Sequence, residues 1–357
     1  MKPTNLTTLK TRKYFYDINF IRAIAALCVV MVHVTSANYS LNEGYFNWLL
    51  LFLNQIVRFG TPFFAVISGF LLYNQAIEGK YNFKKFVSSR FSKVMIPFII
   101  WSLVYQFIGS FSFSDINDLE SLKNYIYDFL LGKSHFHLYF IAVILQFYLL
   151  FPIIQKFHTK KHLLFFTIIA FYINFFYLLD PPDNGEGLIN EFLHERAFIF
   201  KWIFYFLFGG LLVHWWEPIV NYVKSNKKFV FLMGLVPLIF IINDYTSSDK
   251  ILNSTRITNM IHVPILFIAF TNFYYLMRYF YKFRNILLSI GNMSMGIYLV
   301  HPLILHFMKE EFTWMLERTR WVPLAYVTTV LLSIIIVKLI HKLPFGNYIV
   351  IIASRKK

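Results

Sequence analysis

Arg22 and His33 stand eleven residues apart in the apolar string DINFIRAIAALCVVMVHV. On an α-helix eleven residues turn about 1100°, roughly 20° past three full turns, so both side chains share one face about 16 Å apart. A guanidinium and an imidazole are expensive to keep in a membrane-length segment, and a site is the default reading for them. The pair offers a base and a cation stacked on one buried face. The plainer alternative is an arginine snorkelling to the interface and a histidine bonded to a neighbouring carbonyl.

Other residues extend the pattern. His137, His262 and His301 fall in apolar runs at a depth close to that of His33, which predicts a polar cavity walled by imidazoles from four helices. The close pair His135 and His137 has no carboxylate or thiol at its depth, so no metal is expected. Arg22, Arg58, Lys201 and Lys338 lie in or at the edge of apolar runs that hold no Asp or Glu. Cations buried without carboxylates need carbonyls, water or an anionic ligand, which favours an anionic substrate or cofactor. Asp17 reads as a cap of the first helix or as a partner for Arg22. In KKFVSSRFSKVMIP, Arg90 and Lys93 share a helical face beside the membrane, as ordinary inner charge or as a phosphate clamp for a cytoplasmic cofactor. In RFGTPFFAVISGFLL, Ser68 and Gly69 are small residues that suit close helix packing.

These residues need helices to hold them. Of 357 residues 57% are hydrophobic and 15% charged, against about 25% charged in soluble domains. Apolar runs of membrane-spanning length recur throughout. Ten spans are expected, near residues 18–37, 58–77, 94–112, 137–155, 162–179, 198–216, 229–243, 258–277, 286–306 and 321–341. The reading is an all-α, polytopic bundle: an N-terminal segment 1–17, a transmembrane domain 18–341 and a basic tail 342–357. With the amino terminus placed in the cytoplasm, 22 of the 34 Lys and Arg fall in inner segments and 8 in outer loops. That bias sets orientation, so both termini are expected in the cytoplasm, and the partner is the lipid bilayer rather than nucleic acid. The inner charges include Lys10, Arg12, Lys13, Arg355, Lys356 and Lys357. Residues 1–16 are polar and basic, without the apolar core of a signal peptide. Cys28, the single cysteine, excludes an intrachain disulfide. Residues 45–57 are too short to span before Gly60, Thr61 and Pro62 and read as interfacial or re-entrant. Within 113–135 a helical spacing predicts a surface helix.

Together the motifs resemble the acyltransferase type 3 family of integral membrane acyltransferases. Arg22 and His33 match its Arg-x10-His motif. Pro62, Phe63, Phe64, Ser68, Gly69 and Phe70 are similar to its second-span stretch, and Arg90-x-x-Lys93 to its Arg-x-x-Arg pair, with Lys in the second place. SIGNMSMGIYLVHPLIL, carrying Tyr298 and His301, resembles its Gly-x-x-Ser-x-Gly-Ile-Tyr-Leu-x-His-Pro signature. The likeness runs over roughly residues 17–345 and looks closest to the stand-alone branch with enterobacterial common antigen O-acetyltransferase and staphylococcal exopolysaccharide O-succinyltransferase. It implies a bacterial plasma-membrane enzyme moving acetyl or a similar group from acetyl-CoA, or another acyl-CoA, to a hydroxyl of a surface polysaccharide or lipid-linked glycan. A glycan synthase or exporter is an expected partner. His33 would be the base or acyl carrier, with Arg22 beside the donor. Arg90, Lys93, Arg58 and Ser68 would hold the acyl-CoA, and His301, Tyr298, His137 and Lys201 the acceptor. The alternative is a transporter or flippase for an anionic glycan precursor, which often shows half-sequence repeats; none is visible here.

Overall fold

The structure, a computed structural model, describes residues 14–109, 118–183, 185–246 and 253–353. The basic residues expected near both termini lie outside the described residues. Among the described residues there are helices and no strand. Eight helical segments are long and apolar enough to cross a membrane: Tyr16–Leu41, Trp48–Ile77, Phe83–Ile108, Lys160–Leu179, Leu188–Ser225, Asn259–Tyr279, Tyr281–Glu311 and Thr319–Lys342. The other two expected spans are helices as well. One, Tyr139–Ile154, has only 16 residues, a rise of about 24 Å against a hydrocarbon core of about 30 Å. The other is Lys227–Thr246.

The first helix, α1 (Tyr16–Leu41), is apolar on most sides and lies at the centre of the bundle. It packs against α2 (Trp48–Ile56), α3 (Gly60–Ile77), α12 (Asn259–Leu276), α13 (Tyr281–Glu311) and α15 (Val322–Lys342). Small residues set the closest approaches. A Cβ on Gly291 of α13 would sit 2.2 Å from the Asn19 carbonyl of α1, where Asn19 Nδ2 also donates to the Leu288 carbonyl at 2.8 Å. A Cβ on Gly69 of α3 would meet the Phe206 carbonyl of α10 (Ile203–Ser225) at 1.9 Å, and one on Gly209 would meet the Val66 carbonyl at 2.0 Å. Gly69 therefore serves the close packing that small residues permit between membrane helices.

Two breaks in the helices matter for the site. α2 is capped by Asn47, which accepts the Leu49 N–H at 2.8 Å. It stops before α3, whose Pro62 sits in the first turn, where a missing N–H costs nothing. Arg58 occupies the gap. Further on, α4 (Phe83–Arg90) runs through a π-helical turn, Phe91–Met95, into α5 (Ile96–Ile108). Pro97 cannot donate to the preceding turn, and the widened turn absorbs that loss.

The expected surface helix is α6 (Leu119–Leu130), none of whose residues is buried. Asp118 Oδ1 accepts the Ser121 N–H at 2.7 Å and Ser121 Oγ accepts the Asp118 N–H at 3.1 Å, a reciprocal cap. Lys133, just beyond, meets Asp128, Glu191 and Glu195 at 3.0, 3.3 and 2.6 Å, tying α6 to α9 (Leu188–His194). Partial burial opposes the charge on Lys133, but Glu195 and Asp128 outweigh it and push its pKa up. The exposed face of α7 (Tyr139–Ile154), α8 (Lys160–Leu179), α11 (Lys227–Thr246) and α15 carries Leu149, Ile168, Leu232 and Leu331. An apolar outer face of that kind, over helices that satisfy their own backbone, is what a bilayer solvates.

Candidate functional site

His33 lies in the second half of α1, half-buried, with its ring 5.2 Å from that of His301 on α13 and 4.6 Å from Phe136. His137, in the turn ahead of α7, brings its ring to 5.6 Å from His301 and 5.2 Å from Tyr298. His301 is fully buried and its Nδ1 donates to the Ile297 carbonyl at 3.0 Å. A carbonyl only accepts, so Nδ1 bears the proton and Nε2 presents a lone pair. That Nε2 and the Nε2 of His137 are buried without a hydrogen-bond partner among the described residues. The Tyr298 hydroxyl donates to the His137 carbonyl and holds the turn against α13.

His301 is placed by a repaired helix. Pro302 has no N–H, so α13 loses a rung there. The Tyr105 hydroxyl of α5 enters the break, donating to the Leu299 carbonyl at 2.6 Å and accepting the Leu303 N–H at 3.1 Å. A side chain inserted into the backbone ladder is a recognised cause of a helix bend. Tyr105 also stacks on His135, with centroids 4.3 Å apart. His135 and His137 share a hydrogen bond between their Nδ1 atoms at 3.0 Å. Burial first, then the nearby His306, pushes His135 down to about 4, so it is neutral at neutral pH.

Arg58, expected on the acyl-CoA side, belongs to the His33 end. Its Nε and Nη2 donate to Asn54 Oδ1 at 2.9 and 2.6 Å. Asn54 Nδ2 reaches the Val32 carbonyl at 3.2 Å and Thr35 Oγ1 at 2.8 Å, on either side of His33. The break between α2 and α3 directs the side chain there, which a continuous-helix reading misses.

At the other end of α1, Arg22 is half-buried and lies within electrostatic reach of Tyr14, Tyr148 and Arg90. The Arg90 guanidinium lies over the rings of Phe86 at 5.6 Å and Tyr148 at 5.1 Å, and its Nε is buried without a partner among the described residues. Lys93 does not join it. The π-helical turn separates the two, and Lys93 is exposed. Asp17 neither caps α1, whose N-cap is Phe15, nor pairs with Arg22; it accepts the Ile18 N–H at 2.9 Å and the Tyr275 hydroxyl at 3.3 Å. A cavity of about 470 Å³ opens there, lined by Tyr14, Asp17, Trp216, Lys224, Tyr274 and Tyr275.

The remaining expected residues divide. Ser68 lies one turn from Phe64, whose ring faces Phe140 at 6.5 Å and Tyr298 at 6.3 Å, so it looks toward the bundle interior. Lys201 is held by the His194 carbonyl and braces the segment before α10 rather than the imidazoles. His262 stacks with Phe240, apart from the other histidines, and its place is taken by His135. Lys338 is exposed on α15. Sequence reasoning missed Tyr105, Tyr148, Asn54 and Arg196 as site residues, since each is brought in by tertiary packing. The His-x-His spacing was the visible signal for His135. Among the described residues, no three His, Cys, Asp or Glu converge to hold a metal ion.

The acyltransferase 3 family, described as an acyltransferase domain, matches residues 15–338. Similar proteins include a probable poly-β-1,6-N-acetyl-D-glucosamine export protein of Staphylococcus aureus (strain MRSA252). It is 26% identical over 308 residues, covering 82% of this chain and 83% of the relative. A Staphylococcus epidermidis protein of the same description is 26% identical over 304 residues, covering 82% of each. No solved structure matches the chain.

Proposed function

The chain belongs to this acyltransferase family, and from that premise we propose that it is a membrane-bound O-acyltransferase. It moves an acetyl or similar short acyl group from acyl-CoA to a hydroxyl of a cell-surface polysaccharide or its lipid-linked precursor. The observation that carries the reading is the division of α1: His33 among imidazoles at one end, Arg22 beside Arg90 at the other. A sugar hydroxyl is a poor nucleophile at neutral pH and needs a base matched to that pH, a role worth about 10²–10⁴-fold. His33 takes the hydroxyl proton while the oxygen attacks the thioester carbonyl. The carbon–sulfur bond then breaks, and the proton held by His33 passes to the departing thiolate, which leaves as free CoA.

The donor fits the Arg22 end. Arg90 Nε has no acceptor among the described residues, and guanidinium groups recognise phosphate through charge-assisted bonds. The aromatic lining of the adjoining cavity suits a purine. The Lys and Arg bias supports placing this end in the cytoplasm, where acyl-CoA is found. The relatives' names include poly-β-1,6-N-acetyl-D-glucosamine, which makes a β-1,6-linked N-acetylglucosamine oligomer the first acceptor to try.

Those same names describe export, and this favours translocation of the glycan as a second reading. Purified protein given acyl-CoA labelled in the acyl group separates the two. Label appearing on the oligomer, or released from the thioester, supports acyl transfer. Passage of unmodified oligomer into protein-bearing vesicles, with the thioester intact, supports export.

A further inference from the structure

One buried cation has no part in the transfer scheme. Arg58 is 7% exposed in the gap between α2 and α3, and among the described residues its side-chain bonds reach only the neutral amide oxygen of Asn54. Arg256 approaches from the segment before α12, donating Nη2 to the Gln55 carbonyl at 3.4 Å and Nε to Asn259 Oδ1 at 3.1 Å. Arg196 lies over the Tyr139 ring at 4.8 Å and donates to Asn253 Oδ1 at 3.3 Å. The charges of Arg196 and Arg256 act on Arg58, and those of Arg58 and Arg196 act on His33. Neither Arg58 nor Arg196 makes an ion pair with Asp or Glu among the described residues.

Like charges brought together out of water raise each other's energy, and an uncompensated guanidinium is costly to bury. Asn54 cannot offset that cost, because it brings a dipole and no charge. An oxyanion can: a planar guanidinium fork meets carboxylate or phosphate through two parallel hydrogen bonds. The placement is also specific. Asn54 binds α1 at Val32, Thr35 and Ser36, so Arg58 is fixed relative to His33 and at the end opposite Arg22 and Arg90.

We infer that Arg58, held by Asn54 beside His33, forms an oxyanion subsite, which grips a carboxylate or phosphate carried by one of the two reactants. The anion is either a terminal carboxylate on the acyl chain or the phosphate of a lipid-linked acceptor. The acyl-transfer reading supplies the names of the reactants; the subsite itself rests on Arg58 and its placement by Asn54.

Two measurements test it. In the first, detergent-purified Arg90→Gln protein, whose opposite basic cluster is weakened, is titrated with inorganic phosphate and separately with succinate at constant ionic strength. A saturable rise in Tm is expected with at least one of them, and Arg58→Gln in the same background should abolish it. Arg58→Lys keeps the charge without the fork and should weaken the midpoint about tenfold. It decides the matter if the Gln variant does not accumulate. No rise with either anion, or a rise indifferent to Arg58, overturns the inference. In the second, kcat/KM is compared for succinyl-CoA against acetyl-CoA, and for polyprenyl-phosphate-linked against free acceptor. The ratio that favours the anionic reactant and falls about tenfold or more in Arg58→Lys names the source. If neither ratio responds to Arg58, the subsite is wrong. If no acyl transfer occurs at all, the acyl-transfer reading fails, and the anion titration still decides the subsite.

Discussion

His33 and Arg22 share a helix and almost nothing else. The imidazole end is crowded with rings, and the buried Nε2 atoms of His301 and His137 have no hydrogen-bond partner among the described residues. His33→Ala is expected to accumulate in the membrane as the wild type does and to lose about 10²–10⁴-fold in transfer rate. Ordinary acylation of product in cells carrying His33→Ala contradicts its role as base. At the other end, Arg90 is set among aromatic rings and Lys93 is not. Arg90→Gln should raise the KM for acyl-CoA about tenfold, toward the low end for a charge-assisted contact because half-exposure and salt screen it. Lys93→Gln should change KM less than about twofold, since exposed charges contribute little. Equal effects from the two substitutions would return both to one phosphate clamp. That Arg22 and His33 lie in one helix was legible because helical spacing is a local property. The separation of Arg90 from Lys93 was not, because it depends on a π-helical turn that the spacing of charges does not encode.

At the scale of elements, the breaks position the residues of the proposed site. α13 carries His301 beside Pro302, and the lost rung is restored by a hydroxyl from α5. Tyr105→Phe leaves the Leu299 carbonyl and the Leu303 N–H without that partner. Hydrogen bonds between membrane helices measure about 0.6 kcal/mol on average and up to about 1.7. The upper end is expected here, because one hydroxyl serves two backbone groups. The purified variant should show a lower Tm together with a lower kcat, through displaced His301. A lowered Tm with kcat intact would limit Tyr105 to a structural role. The Pro302 break was visible in the sequence, whereas its repair was not, since Tyr105 lies 194 residues from Leu299. The same holds for Arg58. Gly60, Thr61 and Pro62 announced an interruption, yet only the structure shows that the interruption turns Arg58 toward His33.

Across the whole molecule, the proposed transfer requires two faces. The amino end of α1, Arg90 and the aromatic cavity lie on one; the imidazoles, Arg58 and the Lys133 ion-pair cluster mark the other. Composition and apolar periodicity were sufficient for a helical membrane protein, because burial in lipid demands long apolar helices. They did not yield the span count cleanly, since α7 is short and α2 and α3 form one interrupted segment. The Lys and Arg bias sets the expected orientation, and labelling reads it directly. With Cys28 replaced by Ser, a cysteine at Asp183 should react with an impermeant maleimide in intact cells, and one at Lys356 only after lysis. The reverse labelling contradicts the assignment of the Arg22 face to the cytoplasm.

The division of labour along α1 is tested most directly in sealed proteoliposomes with β-1,6-linked N-acetylglucosamine oligomer enclosed and acyl-labelled acyl-CoA added outside. The account predicts label on the enclosed oligomer with wild-type protein and none with His33→Ala. Label confined to oligomer placed on the same side as the donor, or label that persists in His33→Ala, contradicts it.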